Sequence, residues 1–329
     1  MHRPSPSLTH RRLWAAAAVL LAAPVAAQQA YPNRPVTMIS SFSVGSGPDT
    51  VLRLVAEKLG GMWGQRVVVE NRPGGAGFIA IDGFRRAAPD GHTLLQLDSE
   101  QLAALPLLYK QRNYDPDAIF EYTAGLFRTF FMVSTASGSP WRSVADLIAA
   151  ARREPGSVTY GSWGIGSPGH LGGVALESAT QVKMLHVPYK ETPQLFASVG
   201  NGDVAWSFAT LASSQGAYQA GKIRYLAVAA PKRISQFPDV PTVSESGGPA
   251  GLEVSSFAAI LAPKGTPQSI VDKINADINK VLGDPAIQAR FATFAFEPTP
   301  WTPAEIKSEV KNKFDVYRQS IEKANIRLD

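Results

Sequence analysis

Three glycine-rich loops, Ser41–Asp49, Asn71–Gly77 and Gly161–Gly169, carry most of the chemistry this sequence offers. In the third, which runs from Tyr160 to Leu171, Gly164, Gly166 and Gly169 fit G-x-G-x-x-G between a strand-like run and a helix-like one. That spacing admits two chemistries. One is dinucleotide binding, and Glu191 lies about 20 residues further on, where a ribose-binding acid belongs. Against it, the motif sits in mid-chain, and Pro188 and Lys190 crowd the end of the next strand. The other chemistry is a helix N-terminus that holds a carboxylate through unpaired backbone N–H groups and the positive end of the helix dipole. Glycines then let the backbone approach a ligand closely, although in any one loop they also serve simply to permit a tight turn.

Other catalytic signatures are missing. The chain has no G-x-S-x-G elbow and no H-E-x-x-H, and Gly221-Lys222 is followed by Ile223, so no P-loop is present. Without cysteine there are no disulfides and no thiolate metal sites. Beyond the first residues only His92, His170 and His186 remain, too far apart in sequence to read as a metal site.

The N-terminus reads as an export signal. Arg3, Arg11 and Arg12 form a basic region, Leu13 to Ala23 an apolar one, and Val25-Ala26-Ala27 a small-residue cleavage site. The apolar run is short and ends at Pro24, which argues against a permanent span. Arg11-Arg12 leaves open whether export follows the general or the twin-arginine route. Cleavage near Ala27 removes three arginines and no acids, so the net charge falls from +5 to +2. That charge, with no basic cluster interleaved with aromatics, excludes nucleic acid as a partner. The expected product is a soluble periplasmic monomer. Its length favours two cores.

The elements that position the loops alternate. Strand-like runs occur at Val36–Phe42, Val67–Val69, Thr93–Leu97, Phe127–Val133, Val182–Val187, Val204–Phe208, Ile223–Ala229 and Val254–Ala262. Helical spacing fits Asp49–Trp63, Phe78–Ala88 and Pro303–Ala324, the last with Ile306, Val310, Phe314, Tyr317 and Ile321 along one face. The pattern predicts an α/β architecture of mainly parallel sheets flanked by helices, in which such loops gather outside the carboxyl ends of the strands. The end position of the last helix suggests that it packs across a domain or a hinge.

Several ordered segments carry a family resemblance. They include Tyr31-Pro32-Asn33-Arg34-Pro35-Val36, Val67-Val68-Val69-Glu70-Asn71-Arg72-Pro73-Gly74 and Ala88-Pro89-Asp90-Gly91-His92-Thr93. His186-Val187-Pro188-Tyr189-Lys190, Pro238-Asp239-Val240-Pro241-Thr242 and Leu261-Ala262-Pro263-Lys264-Gly265-Thr266-Pro267 follow in the same order. Over nearly all of Tyr31–Asp329 the chain resembles the Bug-type periplasmic receptors of tripartite tricarboxylate transporters. The resemblance implies a two-lobed binding protein, type II-like, with lobe 1 formed by 28–128 and 252–329 and lobe 2 by 129–251. It implies a small carboxylate ligand in the cleft, membrane transporter subunits as partners, and no catalysis, cofactor or metal. An exported oxidoreductase, and a receptor feeding a signalling pathway, are the alternatives.

The resemblance places the ligand on the loops Phe42–Asp49 and Gly164–His170. In the first loop it points to Phe42, Ser43, Val44, Gly45, Ser46 and Asp49, with Pro48 removing an N–H that the family pattern usually keeps. In the second it points to Trp163, Gly164, Ile165, Gly166, Ser167 and His170. Phe78, Ser99, Phe208 and Thr210 complete the set. Each has a plainer role open to it: Ser167 as an N-cap, Asp49 as a loop anchor, His170 as a packing residue, and Phe42, Phe78 and Phe208 as core. Glu100 facing the cleft would repel an anion, so it is expected to face solvent. The aromatics, Trp163 above all, hint at an aromatic or partly apolar carboxylate.

Overall fold

The computed structural model describes His2 and residues 31–328. The expected apolar signal region and the cleavage site near Ala27 lie outside the described residues. The chain begins with β1 (Val36–Ser40), α1 (Gly47–Trp63), β2 (Val67–Asn71), α2 (Phe78–Phe84) and β3 (Thr93–Asp98). Three short helices, α3 (Ser99–Ala103), α4 (Leu105–Leu108) and α5 (Pro116–Ile119), precede the long β4 (Phe120–Phe130). Past Phe131 come β5 (Met132–Ala136), α6 (Val144–Arg153), β6 (Thr159–Ser162), α7 (Pro168–Thr180), β7 (Leu185–Pro188), α8 (Thr192–Asn201), β8 (Trp206–Ala209), α9 (Leu211–Gln219) and β9 (Ile223–Val228). The last stretch is β10 (Ser255–Pro263), α10 (Gln268–Leu282), α11 (Pro285–Ala292), β11 (Phe296–Pro298) and α12 (Pro303–Lys323).

These strands make two sheets, one ordered β11-β4-β10-β3-β1-β2 and the other β7-β6-β8-β5-β9. The expectation of mainly parallel sheets needs correction, because both are mixed. In the first, β1 is parallel to β2 and β3, whereas β10 is antiparallel to both β3 and β4. In the second, β6 is parallel to β7 and β8, whereas β5 is antiparallel to β8 and β9. The reason is connectivity. β4 and β5 carry the chain from one sheet into the other and β10 brings it back, so these strands enter against the direction that helical crossovers impose on the rest. The run expected as one strand over Phe127–Val133 is the join between β4 and β5. There Phe131 donates to Val254 O (2.9 Å) and accepts from Ala229 N–H (2.8 Å), and Val254 donates to Ala229 O, so the outgoing and returning chains are pinned together.

Cores lie on both faces of each sheet. On α1, Val51, Leu52, Val55, Ala56 and Leu59 recur at helical spacing and are fully or almost fully buried. Each of the larger ones contributes about 1.5–3 kcal/mol. Gly64 in the left-handed conformation stops that helix. β10 is buried along its whole length, as a strand covered on both faces must be. α12 buries Ile306, Val310, Tyr317 and Ile321 against the first sheet's core, and near its end Lys323 donates to Ser178 Oγ on α7. It thus bridges the two halves.

Candidate functional site

Between the sheets lies a cavity of about 350 Å³, within the range of small-molecule sites. Five helices begin at its wall. It is lined by Ser46, Gly47 and Pro48 of the start of α1, Asp98 and Glu100 of α3, Pro168 of α7, Thr192 and Pro193 of α8, and Thr210, Ala212 and Ser213 of α9. Local sequence explains these starts. Ser46, Asp98, Ser167 and Thr210 are N-caps whose side chains accept from an N–H in the first turn, and Pro stands early in α1, α7 and α8.

Those prolines also set which donors survive. Pro48, Pro168 and Pro193 have no N–H and present apolar surface instead. The N–H groups of Gly47, Leu211 and Ala212 have no acceptor among the described residues. A glycine keeps this approach open, since a Cβ on Gly47 would stand 3.0 Å from Phe296 Cζ and 3.1 Å from Ala212 Cβ, a tight fit that the neighbours would have to relieve. The starts of α1 and α9, which belong to different halves, therefore face each other closely.

Six aromatic rings supply most of the remaining wall, Phe42, Phe127, Phe131, Trp163, Phe257 and Phe296, with Thr129, Ser256 and Ala258 between them. Trp163 stacks on Phe131 at 5.6 Å between centroids, and Phe127 on Phe296 at 4.0 Å. The ionisable side chains in the wall are two acids. Glu100, expected to face solvent, is buried instead. Its Oε1 accepts from Ser99 Oγ (2.9 Å) and from Tyr317 Oη, and its Oε2 from Ser256 Oγ at 2.6 Å. Three hydroxyls satisfy the carboxylate, which is why burial is tolerated. Burial, and next the neighbouring Glu100 carboxylate, raise Asp98 well above the usual carboxylate range. Close by, Lys313 Nζ donates to Ser255 O and Oγ, and burial lowers its ammonium.

Of the residues expected at the site, Phe42, Ser46, Trp163 and Thr210 line the cavity. Val44 and Ile165 project into solvent from the two glycine loops, 73% and 47% exposed. The others hold the loops in shape. Asp49 Oδ2 accepts from Gly45 N–H (2.8 Å) and Arg53 Nε (3.1 Å), and Oδ1 from Asn71 Nδ2 (2.7 Å). Burial pushes this carboxyl up, but the bonds from Asn71, Arg53 and Gly45 hold it below the ordinary value. Ser46 N–H donates to Ser43 O, which tightens the same turn.

In the second loop Gly166 N–H donates to His170 Nδ1 (3.0 Å), and Ser162 Oγ donates to Gly164 O or pairs with His186 Nε2 (2.7 Å). The two imidazoles stack at 4.0 Å. Burial lowers both to about 4, with His170 adding to the shift at His186. Ser167 caps α7 through His170 N–H. Gly166 has φ +80° and lies against Leu108 of the other half, so the loop is held from both sides.

Three residues are corrected. Phe78 is buried among Tyr109 and Tyr114, with the Arg112 guanidinium 4.2 Å above its ring, because α2 turns that face into the core. Phe208 is fully buried beside Trp206 under the second sheet. Ser99 is also fully buried and bonds Glu100. Sequence reasoning missed Thr129, Thr192, Ser213, Ser256 and the phenylalanines of β4, β10 and β11 in the wall. The visible signal for Ser256 was a serine pair opening an otherwise apolar run.

Most donors of the dinucleotide motif are already used within the loop. Pro168 occupies the first helical position, Ser167 takes the His170 N–H, and His170 takes the Gly166 N–H.

Comparison with known proteins agrees with this arrangement. Residues 51–326 match the tripartite tricarboxylate transporter family receptor. The chain is 29% identical over 314 residues to protein BugT of Bordetella pertussis, covering 94% of each. It is similar to the structure of R. palustris Rpa4515 with adipate (31% identity, TM-score 0.81, covering 91% of this chain and 100% of that one). It is also similar to MatC (Rpa3494) from Rhodopseudomonas palustris with bound malate (26%, TM-score 0.76, 88% and 100%).

Proposed function

Because the chain belongs to the family of tripartite tricarboxylate transporter receptors, a family of binding proteins and not of enzymes, we propose that it captures a small carboxylate between two closing lobes in the periplasm and delivers it to a membrane transporter of that type. The lobes are the segments 28–128 with 252–329, and 129–251. The observation that carries the reading is the convergence of five helix N-termini on one cavity with no cationic side chain in its wall. Partial positive charge from the helix ends and unpaired N–H groups suit a carboxylate, and closure would bring donors from both halves onto it. We place the carboxylate near Gly47 and Ala212, within reach of the hydroxyls of Ser46, Thr210 and Ser213.

The aromatic rings favour an apolar or aromatic body on the ligand, since enclosure by such walls supplies most of the affinity of small sites. A thermal-shift screen of the mature protein against aliphatic and aromatic carboxylates, sugars and simple cations at near-neutral pH tests the reading. A bound carboxylate at about 100 times its Kd stabilises by about 2.7 kcal/mol. Stabilisation by sugars or cations, with none by any carboxylate, refutes it.

A further inference from the structure

An anion receptor has no evident use for a buried acid in its ligand cavity, yet Glu100 lines this one at 8% exposure. The acid is built in. Its carboxylate is fixed by hydroxyls from α3, β10 and α12, through Ser99, Ser256 and Tyr317. Oε1 takes two of those hydrogen bonds, which fills its two in-plane lone pairs. Oε2 takes one, from Ser256, which itself lines the cavity. One acceptor position on Oε2 is therefore left beside a ligand. Lys313 makes no hydrogen bond to Oε2; two of its three N–H donors go to Ser255 O and Oγ.

We infer that the cleft selects a small carboxylate that also bears a hydroxyl or ammonium group, and that Glu100 Oε2 accepts a hydrogen bond from that group. This rests on the carboxylate reading above and narrows it. The aromatic and proline walls take the body of the ligand, the helix N-termini take its carboxylate, and Glu100 reads its donor. A plain diacid would bring a second carboxylate beside Glu100 with no cation in the wall to offset it. An unsubstituted acid would leave the Oε2 position unpaired when water is expelled, and sites built to hydrogen-bond a substrate group reject analogues lacking it.

The test is calorimetric titration of the mature protein with two matched series. One is hexanoate, 6-hydroxyhexanoate, 6-aminohexanoate and adipate; the other is benzoate, 4-hydroxybenzoate, 4-(aminomethyl)benzoate and terephthalate. The expected result is that, in at least one series, a donor-bearing member binds about tenfold or more tightly than both its parent and its diacid. The hydroxyl and amino arms tell the two donors apart. A smaller preference in both series overturns the inference and leaves the carboxylate reading standing. No binding by any member overturns both. In Glu100→Gln the preference should fall to about threefold or less, and a larger remaining preference removes Glu100 from the role. If that variant does not fold, Glu100→Asp, which withdraws the carboxylate by one methylene, is read against the same thresholds.

Discussion

The loop after β1 is held by a charge, and the loop after β6 by a neutral ring. In the first, the Asp49 carboxylate gathers Gly45 N–H, Arg53 and Asn71 onto its two oxygens. In the second, His170 Nδ1 accepts from Gly166 N–H and stacks on His186. Both loops end in a serine N-cap with proline close behind and lead into helices that start at the same cavity. Two anchors of different chemistry thus hold similar backbone shapes. The difference should show in what each mutation costs and in the pH at which each loop loosens.

The largest effect is expected from Asp49→Ala. It removes the acceptor for three donors at a site where the carboxylate side chain is only 2% exposed. Breaking such a cluster should cost about 3 kcal/mol, read as a fall in the denaturant midpoint, and should weaken ligand binding with it. Asp49→Asn keeps one oxygen and should lose roughly half as much. If Asp49→Ala is no less stable than the wild type, the first loop is not charge-held.

Acidification should separate the loops. His170 and His186 are lowered to about 4 from an ordinary value of 6.5, so the unfolded chain binds protons first. Their stabilisation is complete above pH 6.5 and is lost as the pH falls from there towards 4, on the order of 2 kcal/mol for buried His170. Protonation would also turn Nδ1 from an acceptor into a donor facing the Gly166 N–H. Asp49, held below 3.8, keeps its contribution through that window and loses it only at lower pH. Melting temperatures followed downward from near-neutral pH should therefore drop first through the second loop. His170→Gln, whose amide oxygen can still accept from Gly166, should flatten that drop. An unchanged slope in His170→Gln would assign the pH response elsewhere.

Gly166→Ala probes the second loop from the other side. The backbone there has φ +80°, and a Cβ would meet Leu108 Cδ1 at 2.4 Å. Left-handed backbone costs a non-glycine residue about 1 kcal/mol, and Leu108 has a flexible end that can give. The expected loss is about 1–2 kcal/mol, with weaker ligand binding because the loop meets the other half of the molecule at this point. Wild-type stability and affinity would show that Leu108 is not a fixed contact.

The loops were legible in the sequence because their cues are local. Glycine clusters, serine before proline, and strand-like runs on the upstream side all lie within a few residues of each other. The aromatic wall was not legible. Phe127, Phe131, Phe257 and Phe296 sit at strand ends that come together only through the crossing of β4, β5 and β10. In sequence they have the same apolar context as core residues. Phe78 shows the reverse error, since its place after a glycine loop suggested the site, whereas the helix face puts it between two tyrosines. Glu100 was misplaced because Ser256 and Tyr317, which make its burial tolerable, stand 156 and 217 positions away. The mixed sheets were missed for a related reason, because periodicity reports a strand without its direction.

The smallest effects should come from the two serine caps, and they sharpen the comparison most finely. Ser46 Oγ accepts from Asp49 N–H at 3.3 Å and Ser167 Oγ from His170 N–H at 3.4 Å. Each cap satisfies one donor of a first turn, so Ser46→Ala and Ser167→Ala should each cost about 1 kcal/mol in stability. Their effects on binding should differ. Ser46 lines the cavity beside the free Gly47 N–H, whereas Ser167 is not among the lining residues. Ser46→Ala should therefore weaken carboxylate binding beyond its effect on stability, by about fivefold, and Ser167→Ala by less than about twofold. Equal losses of affinity would mean that both loops act on the ligand only through their shape, and that the hydroxyl of the charge-held loop has no direct part in holding it.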